Sequence, residues 1–373
     1  MKPRSPLRRL ARFFFACFVL LLVGIGVEAA AGWHCDVNGQ IHPPARRPFE
    51  REATTAGIND YSRPEDDTYL SYPEWYIVWS YEEKADFQEK QLPSGFPYFG
   101  AVRQYWSSYC CISRLIRGKY PFNGGEQLML VVIGTSFSAE YVLKGIYEKT
   151  IGSLSESTSG YQPVDEDRFA YQVARDYADF VHIRPFYEFH FARYVKELWT
   201  STPLWGPHPI RKWERKIFLT VDFAVESVYC SLIQLATHLT YGDEPAETYA
   251  WIENANETIL RQLPRVRVVK QAGTQAFIVS IPRYQEFTAA AMTLAEGGAQ
   301  FVEIAGNSQI TLSVLVPQSW RSGELRAAEL FSSPMLTHPE QKRAIIGCDV
   351  ASLHAVLNSL RAGGIAVEHI YDY

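Results

Sequence analysis

Residues 126–152, EQLMLVVIGTSFSAEYVLKGIYEKTIG, form a long apolar segment that carries one acid, Glu140, near its middle. Within this segment, residues 128–147 have about the twenty residues that a helix needs to cross a bilayer, but Lys144 follows Glu140 at i, i+4 spacing. A carboxylate at the centre of a span costs about 2.5–3.5 kcal/mol. The segment therefore predicts a long helix that either crosses a membrane or lies in a protein core, and the topology of the whole chain depends on which.

A second apolar segment, residues 217–239, has the same character because Asp222 and Glu226 lie inside it at i, i+4 spacing. Its flanks differ in charge, with basic residues before it and acids after it: Arg211, Lys212, Arg215 and Lys216, then Asp243, Glu244 and Glu247. This asymmetry is typical of a span whose basic end stays in the cytoplasm. Whether both segments cross or neither does, an amino terminus inside the cell puts the carboxyl-terminal part outside.

The amino terminus has the pattern of a secretory signal. Residues 1–12 are strongly basic, residues 13–27 are continuously apolar, and small residues follow up to Gly32. This pattern predicts a signal peptide or an uncleaved signal anchor over residues 1–32, and Trp33 suits the interface at the far end of an anchor. We therefore expect a membrane location with most of the chain on the extracytoplasmic side, beginning with a polar, proline-bearing linker over residues 33–68.

Composition narrows the class of protein. Of the 373 residues, 47% are apolar and 14% are aromatic, and the formal net charge is −5. A chain of this length can bury a sizeable core, and such a share of rings favours membrane interfaces and lipid-binding or sugar-binding clefts. The charge gives no basic footprint, so we expect no nucleic-acid partner.

The cysteines do not form a metal or redox motif. Six of them are scattered without C-x-x-C spacing, which excludes a zinc ribbon and a thioredoxin motif. One interpretation is that all are free thiols packed as small hydrophobes. The other is a disulfide between Cys35 and either Cys110 or Cys111, which would require an oxidising compartment.

The two halves of the chain have different periodicity. Residues 69–264 predict a helical and aromatic-rich domain, in the core of a protein or embedded in a membrane. From residue 265 the pattern predicts strands over 266–270, 276–281, 301–305, 309–316, 343–348 and 366–371, with helices over 284–296 and 350–361. This order indicates an α+β class, with a ferredoxin-like (split βαβ) domain over residues 265–373 that has one sheet and both helices on one face.

No catalytic motif stands out, and the weak metal candidates are His182, Glu188 and His190. An extended chain would put Glu188 and His190 on one side, whereas a helix would separate them by about 200°. We expect the helical arrangement, and so no metal and no cofactor.

The acids inside the apolar segments are the better candidates for a site. A buried carboxylate is costly unless it is paired, protonated or hydrogen-bonded, so Glu140, Asp222 and Glu226 need partners, and Lys144 and His238 are available. One interpretation is a set of structural ion pairs that fix helix packing. The other is a proton or ligand site between helices.

Two functions follow from this pattern. The first is a membrane-anchored cell-envelope protein that binds a hydrophobic ligand or a protein partner. The alternative is a membrane-associated enzyme that acts on a hydrophobic substrate, with the buried carboxylates as acid and base. A pocket lined by the acids together with His182 or His190 would favour the enzyme, and a closed apolar core would favour the binding protein.

Overall fold

The computed structural model describes residues 6–37, 39–41, 50–59, 61–240, 247–255, 257–323 and 325–372. Its helices are α1 (Pro6–Gly32), α2 (Glu50–Thr55), α3 (Asp67–Lys90), α4 (Tyr98–Ile116), α5 (Gly124–Tyr147), α6 (Ser153–Thr158), α7 (Asp165–Val181), α8 (Phe191–Ser201), α9 (Pro209–Thr240), α10 (Glu257–Gln262), α11 (Gln285–Glu296) and α12 (Val350–Ala362). Its strands are β1 (Glu247–Glu253), β2 (Arg267–Gln271), β3 (Ala276–Pro282), β4 (Gln300–Ile304), β5 (Gln309–Pro317), β6 (Ala328–Pro334), β7 (Gln341–Asp349) and β8 (Ala366–Tyr371). The α+β class predicted from the sequence is confirmed.

The organising segment is helix α5. The side chain of Asn123 accepts a hydrogen bond from the backbone N–H of Glu126 and so caps the helix. A π-helical turn, Glu148–Gly152, carries α5 into α6 without a break, and the continuous helix Gly124–Thr158 has 35 residues. By length and composition, this helix and Pro209–Leu235 of α9 are each apolar enough to cross a membrane.

Helix α5 lies against α3 and α4 through aromatic side chains and small residues. The Tyr76 and Phe137 rings meet edge to face with centroids 6.5 Å apart, and the Ser80 hydroxyl donates to the Tyr141 hydroxyl at 3.3 Å. Gly134 lets the ring of Tyr105 lie directly on the α5 backbone. The aromatic stripes predicted from helical spacing therefore pack between helices here.

We expect Gly134→Ala to lower the free energy of unfolding by about 1–3 kcal/mol, because the added methyl group would collide with the buried Tyr105 ring. Gly125→Ala is the matched control, since the nearest side-chain atom to a methyl group there is 4.0 Å away and alanine is the better helix former. Denaturant unfolding of the two purified variants measures both effects. Equal stabilities would show that α4 does not press on α5 at this point.

A disulfide joins Cys35, just after α1, to Cys111 in α4, with Cα atoms 5.2 Å apart. Cys110, Cys230 and Cys348 are free and buried. The disulfide and the Arg103–Glu28 ion pair at 2.6 Å fasten the carboxyl-terminal end of α1 to α4.

The β part has two sheets, and the prediction of a single sheet was wrong. Sheet 1 has the strand order β2-β3-β1-β4, and sheet 2 has the order β6-β7-β5-β8. In sheet 1, β1 lies between β3 and β4 and is antiparallel to both, and in sheet 2, β5 lies between β7 and β8 in the same way. Because another strand separates the two strands of each unit, β3-α11-β4 and β7-α12-β8 are each a split βαβ unit. Sheet 2 repeats the topology of sheet 1 strand for strand.

Two strands that the sequence pattern did not predict explain why the β part forms two sheets and not one ferredoxin-like sheet. β1 begins at Glu247, ahead of residue 265, and inserts between β3 and β4. β6 carries the sequence Ser332-Ser333-Pro334, which resembles a loop, yet it pairs with β7. Helices α11 and α12 pack on each other between the two sheets, and one apolar core contains side chains from both sheets.

Sheet 2 lies along α3. The backbone N–H of Thr311 donates to the Thr68 hydroxyl at 3.0 Å, and that hydroxyl donates to the carbonyl oxygen of Tyr371 at 2.8 Å. Further along α3, a carboxylate oxygen of Glu83 accepts from the backbone N–H of Thr337 at 2.6 Å. Helix α3 therefore separates sheet 2 from α5 over most of its length.

Candidate functional site

The acids of the two apolar segments converge on one lysine. The ammonium nitrogen of Lys144 lies 2.9 Å from Glu140 Oε1, 3.0 Å from Asp222 Oδ1 and 3.3 Å from Glu226 Oε1. The four side chains are between 14% and 18% exposed. The structure thus brings together four of the five residues singled out from the sequence, whereas His238 lies outside the residues whose side chains are described.

A second ring of polar groups comes from α3 and α7. The Tyr81 hydroxyl donates to Glu140 Oε2 at 2.6 Å, and the rings of Tyr81 and Tyr177 meet edge to face at 4.9 Å. Burial, and then the Glu140 carboxylate, raises the pKa of both tyrosines well above the ordinary value. Burial, and then the Lys144 ammonium, lowers the pKa of Lys84.

This cluster lines a cavity of about 60 Å³ between α3, α5, α7 and α9. Four carboxylates, two lysines and Arg215 line it and leave a net charge of −1 when all are ionised, so the cavity favours a proton or a small cation. Its volume is well below the 300–1,000 Å³ of a typical small-molecule pocket. Neither His182 nor His190 lines it.

The residues weighed as metal ligands do not meet. His182 Nε2 is 3.6 Å from Glu82 Oε2, and Glu188 Oε2 is 3.6 Å from Arg184 Nη1. His190 precedes the first turn of α8. In the part of the chain that the structure describes, no group of three or more metal-capable side chains converges.

A second ionic cluster lies at the amino-terminal end of α9. The basic residues that precede the second apolar segment are almost fully buried, and their partners come from α5–α7 and α9 itself. They are Arg211, Lys212, Arg215 and Lys216, with acids Glu148, Glu156, Glu166, Asp167 and Glu214. These cations therefore neutralise buried acids of the protein interior. Their position does not support the use of these residues as a basic flank that fixes the orientation of α9 in a membrane.

The outer sides of the same helices form an exposed surface that we call the apolar face. Its side chains in α5, in the α6 continuation of that helix and in α9 are each more than half exposed: Leu128, Val132, Leu143, Ile146, Leu154, Ile217, Val221, Val225, Val228, Leu232 and Leu235. Phe15, Leu20, Val23 and Val27 of α1 are exposed to a similar degree. Aromatic side chains stand beyond its ends, with Trp205 74% and Phe122 84% exposed. Contiguous apolar surface on this scale marks a contact with a membrane or a partner.

A buried histidine that the sequence analysis missed lies where α3 meets sheet 2. The His369 ring stacks on Trp75 with centroids 3.5 Å apart, and His182 lies beside the neighbouring Trp79 at 5.2 Å. Burial, then His182 and Arg283, lowers the pKa of His369 well below its ordinary value. The alternation of side chains along β8 could have indicated that His369 points inward. Its contact with Trp75 of α3 becomes visible only in the fold.

We expect the protein to lose stability as the pH falls below about 6.5, the pKa of an unfolded histidine. His369 is neutral in the folded state, so the unfolded chain binds the extra proton and gains from acidification. His369→Phe keeps a ring against Trp75 and removes the titration, so the variant should lose less stability between pH 7 and pH 5 than the wild type. Parallel pH profiles for the two proteins would contradict this assignment.

Comparison with protein-family models, with curated proteins and with solved structures finds no match for this chain. The function is therefore argued from the geometry of the molecule itself. Its two distinguishing features are the carboxylate–lysine cavity on the inner sides of α5 and α9 and the apolar face on their outer sides.

Proposed function

We propose that this chain is a membrane-anchored protein of the cell envelope that acts by binding a ligand or partner at the membrane. Helix α1 is its anchor, and its helical and β parts lie outside the cytoplasm. The apolar face is the observation that carries the proposal, because it combines a hydrophobic amino-terminal helix with two further helices that expose apolar side chains from Leu128 to Leu154 and from Ile217 to Leu235.

The disulfide supports the extracytoplasmic side. Cys35 follows the end of α1 by three residues and is bonded to Cys111. Structural disulfides persist in oxidising compartments and are rare in the cytosol. An anchor whose amino terminus is basic would deliver residue 33 and the following chain to that oxidising side.

The size of the cavity supports binding over catalysis on a hydrophobic substrate. An enzyme for such a substrate needs a pocket that buries most of the reacting molecule. The cavity beside Lys144 has room for a water molecule or a small cation, and its carboxylates are held in ion pairs. In this proposal the chain binds a hydrophobic ligand or protein partner at the membrane, and the paired β sheets form the outward-facing module.

Thiol trapping in intact cells tests the proposal. Cells are quenched in acid and the thiols are alkylated with a polymer-linked maleimide, with and without prior reduction. We expect two of the six cysteines to react only after reduction, in a protein recovered entirely with membranes.

Substitutions identify the pair in this experiment. Cys35→Ser and Cys111→Ser should each leave one thiol that reacts without reduction, whereas Cys348→Ser should leave the reduction-dependent pair unchanged. Recovery of the chain in the soluble cytosolic fraction, with no thiol that needs reduction, would overturn the proposal.

A further inference from the structure

We propose that α5 and α9 do not cross the bilayer but lie in the plane of its outer surface, with the apolar face in contact with the lipid. This inference rests on the proposed membrane anchoring and concerns the geometry of the contact. It identifies the partner of the face as the surface of a lipid bilayer.

Length alone would allow the two helices to cross. From Leu128 to Leu154 the apolar stripe of α5 is about 39 Å long at 1.5 Å per residue. A hydrocarbon core is about 30 Å thick. Whether α5 can cross a bilayer therefore depends on which other parts of the protein lie beside the stripe, at the same height along the α5 axis.

Helix α3 lies beside α5 over this length and runs in the same direction. The Asn123 side chain, just before α5, donates to Asp67 at 3.0 Å, and Ser80 reaches Tyr141 near the other end. From Thr68 near its start to Trp79, α3 also contacts sheet 2, and Glu83 in its last third accepts from Thr337 in the turn between β6 and β7. Because Asp67 is level with Asn123 and Ser80 with Tyr141, sheet 2 lies at the same height as the amino-terminal half of the α5 stripe.

A bilayer that enclosed α5 along its axis would also enclose an open β sheet. Sheet 2 ends in the edge strands β6 and β8, and lipid-exposed sheet edges do not occur in the hydrocarbon core of a bilayer. A spanning orientation of α5 is therefore incompatible with the position of sheet 2.

Helices with exposed charges lie beside α9, as sheet 2 lies at the height of α5. Helices α7 and α8 both contact α9, and they expose Arg168 at 64% and Arg193 at 60% of their side chains. Each such charge costs about 2.5–3.5 kcal/mol at the centre of a bilayer. These charges require water on the outer sides of α7 and α8.

The in-plane orientation satisfies both requirements. The bundle then has lipid on one side, below α5 and α9, and water around α7, α8 and the sheets. This arrangement is that of an amphipathic interfacial element, which enters a bilayer by about 5–10 Å. Trp205 and Phe122, exposed at opposite ends of the face, suit the headgroup level where aromatic rings concentrate. The Lys144 cavity lies on the inner side of the same two helices, one helix layer above the lipid.

Depth measurements on the full-length protein distinguish the two orientations. Nitroxide labels are attached through a ketone-bearing unnatural amino acid, which leaves the native cysteines untouched, at Leu128, Leu143 and Leu154. The protein is reconstituted in vesicles of phosphatidylethanolamine and phosphatidylglycerol, and the relaxation of each label by oxygen and by a water-soluble nickel chelate gives its depth. A label at Arg168 is the water-exposed control.

We expect all three α5 labels at one shallow depth and the Arg168 label in water. A profile with Leu143 at the bilayer centre and Leu128 and Leu154 near opposite surfaces would overturn the in-plane orientation while leaving the anchoring intact. Three labels as accessible to nickel as Arg168, on a protein that still floats with the vesicles, would also overturn it. Failure of the unlabelled protein to float would instead contradict the proposed anchoring.

Discussion

Lys144→Met is expected to lower the free energy of unfolding by about 3–5 kcal/mol, the cost of removing one partner from a buried ionic cluster. Among the residues that the structure describes, Lys144 is the only cation that forms ion pairs with the three carboxylates, and all four side chains are at least 82% buried. Its removal leaves Glu140, Asp222 and Glu226 close together without that positive charge.

The pH dependence of the Lys144→Met variant gives a second readout. Without the ammonium the crowded carboxylates hold more protons in the folded protein than in the unfolded chain, so the variant should regain stability as the pH falls from 8 to 5. Denaturant unfolding at the two pH values measures the effect. Lys149→Met is the matched control, because Lys149 is exposed on the π-helical turn that continues α5 and should cost less than about 1 kcal/mol. Similar losses for the two variants would show that the cluster does not stabilise the fold.

Arg211→Met should cost as much, about 3–5 kcal/mol, because Arg211 is fully buried and its guanidinium holds several acids at once. It donates to Asp167 Oδ1 at 2.7 Å, to Ser155 Oγ at 2.8 Å and to Glu214 Oε2 at 3.0 Å. Arg211→Lys keeps the charge but has fewer and differently placed donors, so we expect an intermediate loss.

Two comparisons check this assignment. Arg168→Met removes an exposed arginine of the same region and should change the stability by less than about 0.5 kcal/mol. Adding Asp167→Asn to Arg211→Met removes one of the negative charges that Arg211 balanced, beside which Arg215 remains, and should recover part of the loss. Strictly additive losses in the double variant would contradict the assignment of Arg211 as the counter-charge of Asp167.

Local pattern predicted much of the secondary structure. The strand expected over residues 276–281 is β3 (Ala276–Pro282), and the helix expected over 350–361 is α12 (Val350–Ala362). Alternation and helical spacing are properties of neighbouring residues, so the sequence carries them directly. The division into two sheets depends on β1, which inserts between two strands that come later in the chain, and on β6, whose Ser332-Ser333-Pro334 sequence resembles a loop, and the local pattern reveals neither.

The candidate site was predictable in kind but not in arrangement. The cost of a buried carboxylate shows that Glu140 needs a partner, and Lys144 is one helical turn away. Asp222 and Glu226 reach the same ammonium only because α9 folds back along α5. Arg211 illustrates the opposite case, since its position beside an apolar segment resembled a membrane flank, whereas its partners from α6 and α7 appear only in the fold.

The side of the membrane that holds the carboxyl terminus is the most direct test of membrane anchoring with an extracytoplasmic body. Two reporters are fused after Tyr373 in the full-length chain, one active only outside the cytoplasm and one fluorescent only inside. We expect activity from the first and none from the second, with all of the fusion protein in the membrane fraction. A fusion that fluoresces in the cytoplasm and lacks activity outside would contradict the proposal.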